Sequence, residues 1–259
     1  MHFYKYQGTG NDFIIFDNRE AKIELTRKQI SRLCDRRFGI GADGVMLLNK
    51  QAGYDFEMDY YNADGSQSMC GNGGRCMVKF AAAMGIERSQ YRFLAIDGEH
   101  AARIENNGSV ALKMNDVSAV QSRNGRYVLN TGSPHYVEML QNVMSVDVIK
   151  KGRAVRYSDE YKQEGINVNF VEQTEDPDKI IVRTYERGVE DETYSCGTGV
   201  TAAALVNYHN DAGYNYVCVQ TKGGMLNVEF DRTEGAYQNI WLIGPAEKVF
   251  EGEVDVSDI

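Results

Sequence analysis

Met69-Cys70-Gly71-Asn72-Gly73-Gly74 opens one stretch of this sequence, and Ser195-Cys196-Gly197-Thr198-Gly199 opens another. The first leads into Asn72 to Met84, which carries Met77, Val78, Phe80, Ala81, Ala82 and Ala83. The second leads into Thr198 to Tyr208, with Val200, Ala202, Ala203, Ala204, Leu205 and Val206. Both read as helices that are apolar nearly all round, and such a helix is enclosed in a core rather than laid on a surface. Cys70 and Cys196 lie 126 residues apart, close to half of the 259-residue chain. Upstream of each helix a strand pattern ends in polar residues, Asp59 to Asp64 and Arg183 to Arg187. The repetition predicts an α+β fold of two related domains, each a strand-rich shell around one central helix. Chain length gives the same prior of two domains.

The surrounding sequence supplies the strands. Tyr54, Phe56, Met58 and Tyr60 alternate with Asp55, Glu57 and Asp59, the period of a half-buried strand. Further strands are expected at Val45 to Leu48, Tyr91 to Ile96, Ala101 to Ile104, Val110 to Met114, Ile180 to Thr184, Tyr216 to Thr221, Leu226 to Phe230 and Ile240 to Ile243. Thr26 can cap a helix running to about Arg37, with Ile30, Leu33 and Cys34 on one side.

Composition removes several function classes. The formal charge of -9 and the lack of a Lys/Arg run argue against a nucleic-acid partner. Charged residues interrupt the opening segment, and no stretch approaches 18 apolar residues, so neither a signal peptide nor a membrane span is expected. Five cysteines, an odd number, suit reduced thiols in the cytoplasm better than a disulfide framework. Gly39 to Gly44 matches GxGxxG, but it follows a helix and precedes a strand, the reverse of a dinucleotide fingerprint. A zinc site would use close CxxC pairs, whereas Cys70 and Cys76 are six apart. No metal and no cofactor is therefore expected, and Cys34, Cys76 and Cys218 read as core residues.

A cysteine at a helix N-terminus sits at the positive end of the macrodipole, which favours thiolate. The adjoining glycines let a ligand approach the free backbone N–H groups, which suit a carboxylate. One such site suggests a nucleophile or a redox thiol. Two, in matching half-chains, suggest a thiolate base and a thiol acid on opposite faces of one carbon, the requirement for inverting a stereocentre.

At these residues the sequence resembles the diaminopimelate epimerase family. The likeness runs along nearly the whole chain, through Gly8 to Phe13, Arg37 to Gly44, Tyr61 to Ser66, Met69 to Cys76, Pro134-His135, Gly165 to Phe170, Tyr185 to Gly188 and Ser195 to Gly199. The resemblance implies two pseudo-symmetric domains, each a β-barrel-like sheet wrapped around a central helix: 1–116 with 247–259, carrying Cys70, and 117–246, carrying Cys196. It implies conversion of LL-2,6-diaminopimelate to the meso form in lysine and peptidoglycan precursor synthesis, without pyridoxal phosphate. It implies Cys70 and Cys196 as the acid/base pair, assisted by His135 and Glu186. Asn11, Asn62, Gly71, Asn72, Asn167, Glu186, Arg187, Gly197 and Thr198 would contact the substrate, and the protein would be a homodimer. Gly44 and Ser133 depart from the family pattern, where Gln and Asn occur. The segment from Arg187 to Cys196 looks one residue longer than a common family form. A proline racemase or hydroxyproline epimerase resembles a Cys-Gly-His pattern where this chain has Asn72. A phenazine-biosynthesis-like isomerase would lack the cysteine pair, and a binding protein without catalysis would not need it.

Overall fold

The computed structural model describes residues 1–256. The chain divides into two compact units, Met1–Leu112 with Gly244–Ile259, and Lys113–Ile243. Among the described residues no helix is long and apolar enough to cross a membrane.

The first unit contains β1 (His2–Gly8), β2 (Asn11–Asp17), α1 (Arg27–Cys34), β3 (Gly44–Asn49), β4 (Phe56–Asn62), α2 (Gly71–Ala83), β5 (Tyr91–Ala95), β6 (Gly98–Ile104) and β7 (Val110–Lys113). The last strand of the chain, β17 (Glu247–Glu253), also belongs to it. Its ladder runs β17-β1-β2-β3-β4-β5-β6-β7, with β2–β3 and β4–β5 parallel and every other junction antiparallel. The second unit contains β8 (Gln121–Arg123), β9 (Arg126–Asn130), β10 (Pro134–Met139), α3 (Val148–Arg156), β11 (Asn167–Gln173), β12 (Lys179–Glu186), β13 (Asp191–Thr193), α4 (Gly197–Val206), β14 (Gly213–Thr221), β15 (Gly224–Thr233) and β16 (Ala236–Gly244). Its ladder runs β8-β9-β10-β11-β12-β14-β15-β16, with β10–β11 and β12–β14 parallel.

The two ladders thus share one order of pairings. Each parallel junction needs a crossover, because parallel strands cannot be joined by a hairpin. Helices α1 and α2 supply the crossovers in the first unit, and α3 and α4 supply them in the second. The sequence repeat is therefore a repeat of topology.

In each unit the second crossover helix is the enclosed one. Helix α2 packs against β1, β2, β3, β4, β6 and β17, and α4 against β9, β10, β11, β12, β14 and β15, so each sheet wraps its helix. Cys76, Met77, Val78, Phe80 and Ala81 are buried on α2. On α4, Val200 and Ala202 to Leu205 pack among Val217, Val219, Leu226, Val228 and Leu242. Helices α1 and α3 cover other sheet surface, through Ile30 and Leu33 on Ile14, Phe16 and Val45, and through Val148 near Val168, Phe170 and Tyr185.

The expected strands and helices are all present with ends that shift by a few residues, and two of these shifts have a visible cause. Helix α1 ends at Cys34, three residues before Arg37. The Asp35 carboxylate accepts the N–H groups of Arg37 and Phe38, and the Leu33 carbonyl accepts those of Ile40 and Gly41, which turns the chain out of the helix. Strand β4 starts at Phe56, because the Tyr54 N–H closes a turn onto Gln51. Of the three cysteines read as core, Cys34 and Cys76 are buried and Cys218 is half-buried.

Candidate active site

The residues singled out in the sequence collect at the same end of each ladder. In the first unit Gly44, which opens β3, pairs with Phe13 on one side and with Asn62, which closes β4, on the other. Asn11 opens β2, and Cys70 is the N-cap of α2. In the second unit His135, beside the start of β10, pairs with Asn167, the first residue of β11. Glu186 closes β12, and Cys196 is the N-cap of α4. Neither cap side chain bonds to its helix's first-turn N–H groups.

In the first unit a chain of hydrogen bonds ends on the thiol. Cys70 Sγ donates to Asn11 Oδ1 at 3.4 Å, and Asn72 Nδ2 donates to the same oxygen at 3.3 Å. Asn11 Nδ2 donates to Asp43, which Arg36 holds at 2.8 Å. Asn72 Oδ1 accepts from Arg75 Nη2 at 3.0 Å, and Thr9 Oγ1 accepts from that same nitrogen at 2.9 Å. Arg75 is wholly buried, and its Nε and Nη1 have no protein partner among the described residues. Burial lowers its pKa, while thiolate charge at Cys76 or Cys70 would raise it. Sequence reading missed Arg75. Its one local signal is the i, i+3 spacing from Asn72 on the helix.

Asn62 is bonded as a turn former. Its Nδ2 donates to the Ser66 carbonyl and to the Ser66 and Ser68 hydroxyls at 3.0–3.2 Å. Gly44 has no room for a side chain. A Cβ there would lie 2.4 Å from Tyr60 Cε2 and 2.5 Å from the Tyr61 carbonyl oxygen. The departure from Gln at this position therefore accompanies an aromatic ring packed over the glycine.

In the second unit Asn167 is spent on the protein. Its Oδ1 accepts the Arg187 N–H at 2.8 Å, and its Nδ2 donates to Ser133 Oγ at 2.9 Å. Ser133 Oγ also accepts from Arg187 Nη2 at 3.3 Å, so the serine steadies the guanidinium. Arg187 is exposed, with Nη1 donating to the Glu164 carbonyl at 2.9 Å. Thr198 is held through its carbonyl, which accepts from Thr131 Oγ1 at 2.8 Å, and its hydroxyl lies 3.5 Å from Cys196 Sγ. Cys196 itself is buried at 7% exposure. His135 is wholly buried; burial, with the nearby positive charge of Arg187, pushes its pKa down to about 3, so the ring is neutral at physiological pH.

A profile of the diaminopimelate epimerase family matches residues 3–120 and 127–249. The chain belongs to the diaminopimelate epimerase family. It is 50% identical over 257 residues to the diaminopimelate epimerase of Flavobacterium psychrophilum, covering 97% of this chain and 99% of the relative. It is 42% identical to that of Chlorobaculum tepidum over 258 residues, covering 95% and 98%. Two solved structures share the fold at low identity. One is a PhzF-family phenazine biosynthesis protein of Bacillus anthracis, with a TM-score of 0.76, 14% identity and 99% of each chain covered. The other is a hydroxyproline epimerase of Agrobacterium vitis, with a TM-score of 0.65, 13% identity and 100% of this chain and 93% of that one covered.

Proposed function

We propose that this chain converts LL-2,6-diaminopimelate to meso-diaminopimelate by moving the proton on one α-carbon. The observation that carries the reading is the equivalent placement of Cys70 and Cys196. Each caps the enclosed helix of its unit, after the corresponding strand of an identical pairing order. One thiolate removes the α-proton and the other thiol delivers a proton to the opposite face. The two then stand with exchanged protonation, ready for the reverse direction. Gly71, Asn72, Gly197 and Thr198 start the two helices, whose N–H groups stabilise the negative charge that builds on the α-carboxylate. Arg187 holds the distal carboxylate and Asn167 fixes Arg187, Asn62 shapes the turn that leads to Cys70, and Asn11 and Glu186 orient the ammonium and carboxylate groups. Glu186 assists the proton transfers, and His135 supports the charge that they create. These steps use side chains and backbone of this chain alone.

A homodimer is what the family resemblance implies, and an odd number of cysteines suits reduced thiols in the cytoplasm. Light scattering of the purified protein reads its oligomeric state. The decisive assay for the activity is proton NMR of LL-diaminopimelate in deuterium oxide. Loss of the α-proton signal with appearance of the meso isomer is expected; an unchanged spectrum refutes the reading.

A further inference from the structure

Asn169 lies in β11 two residues after Asn167, on the same face of the strand, and is wholly buried. Its neighbours leave the carboxamide one orientation. The Tyr136 carbonyl oxygen can only accept, so the atom 3.0 Å from it is Nδ2. The Thr184 hydroxyl donates at 2.9 Å to the remaining atom, Oδ1. The same Nδ2 lies 3.1 Å from Nδ1 of His135. An amide nitrogen donates and never accepts, so His135 Nδ1 must be the acceptor and the ring proton must sit on Nε2. Protonating Nδ1 would set one N–H group against another.

We infer that Asn169 is a positioning residue that locks His135 as its Nε2–H tautomer, making the imidazole a neutral hydrogen-bond donor rather than a proton-transfer base. The other side of the ring agrees. Nε2 is buried and has no hydrogen-bond partner among the described residues. A buried donor of this kind calls for an acceptor. The ring lies under the first turn of α4, with Cε1 3.4 Å from where a Cβ on Gly199 would stand, three residues beyond Cys196. The acceptor that fits is anionic: a carboxylate of the bound amino acid, or the charge that grows on it as the α-proton leaves. A neutral donor suits that task, since it stabilises the charge without competing for the proton. The kinetic part of this inference rests on the proposed epimerisation; the tautomer does not.

The test is a long-range proton–nitrogen NMR spectrum of the full chain with its four histidines labelled. His135 is assigned from His135→Gln, or by elimination with the other three replaced singly should that variant not fold. A single neutral form protonated at Nε2, unchanged between about pH 5 and pH 8, is expected. In Asn169→Asp the carboxylate can only accept, so the proton should appear on Nδ1. In Asn169→Ala both tautomers should be populated. Turnover in Asn169→Asp should fall by about tenfold or more, mostly in kcat. A wild-type His135 carrying its proton on Nδ1, or on both nitrogens near neutrality, overturns the inference. So does an unchanged tautomer in Asn169→Ala. If the tautomers behave as stated but no α-proton exchange occurs, the epimerase reading falls and the lock stands.

Discussion

Gly199→Ala sets two effects of opposite sign against each other. Position 199 lies in the first turn of α4, where replacing glycine by alanine ordinarily gains about 1 kcal/mol of helix stability. Here the new Cβ would stand 2.3 Å from Asn169 Oδ1 and 3.3 Å from its Cγ. Non-bonded heavy atoms are at ease near about 3.5 Å, so the carboxamide must withdraw by roughly 1 Å. Withdrawal breaks its bonds to the Thr184 hydroxyl, the His135 ring and the Tyr136 carbonyl, all in the core. Each buried polar group left unsatisfied costs about 1–3 kcal/mol. Losing two of them outweighs the helix gain and leaves a net cost of about 3 kcal/mol, the upper range for overpacking a core. For a chain of this size that lowers Tm by roughly 6–12 °C. A thermal melt followed by circular dichroism measures it, and kcat should fall in parallel because His135 loses its orientation. A variant melting at or above the wild-type temperature with unchanged kcat would show that helix propensity won. The close packing of Asn169 under α4 would then constrain nothing.

Cys70→Ala and Cys196→Ala should each lower epimerisation by about 10²–10⁴-fold with the fold intact, whereas Cys34→Ala should keep turnover; rates in deuterium oxide decide this. Arg187→Met should lower kcat/KM for diaminopimelate by about 10–100-fold, the loss of one charge-assisted contact, without shifting Tm. Asp12 tests the electrostatics of the first unit. Burial alone would raise its carboxyl, but Arg36 and Lys5 outweigh that and hold it at about 2 instead of 3.8. The folded value lies below the unfolded one, so this stabilisation is present above about pH 4 and is lost as pH falls through about 2. The difference in urea midpoint between wild type and Asp12→Asn should therefore be full at pH 7 and shrink toward pH 2; a constant difference would count against the ion pairs.

What the sequence revealed and what it concealed follow from how each residue is stabilised. Helices α2 and α4 were legible because enclosure on all sides demands apolar residues all round. Helix α3 was not, because Lys150, Lys151, Arg153 and Arg156 leave its pattern half polar and only Val148 and Gly152 are buried. Strand β8 exposes all three of its residues, so no alternation marks it. The cysteines announced themselves by repetition. Asn169 and Arg75 did not, since a polar residue at an interior position looks like surface until its buried partners are known. Only the period-two spacing of Asn167 and Asn169 offered a hint. Ser133 and Gly44 read as departures from the family pattern; the structure shows Ser133 steadying Arg187 and Tyr60 packed over Gly44.

The path of the chain between the two ladders has a consequence for biosynthesis. The second unit is one uninterrupted segment, so every strand it needs has been synthesised before β17. The first unit is synthesised earlier yet finished later. Its β1 must wait for a partner some 250 residues downstream, with His2 finally opposite Glu253. Until then β1 presents an open row of N–H and C=O groups, a template for pairing with another nascent chain. The buried core around α2 is thus assembled with one seam unclosed, and translation of the last strand is the step that seals it.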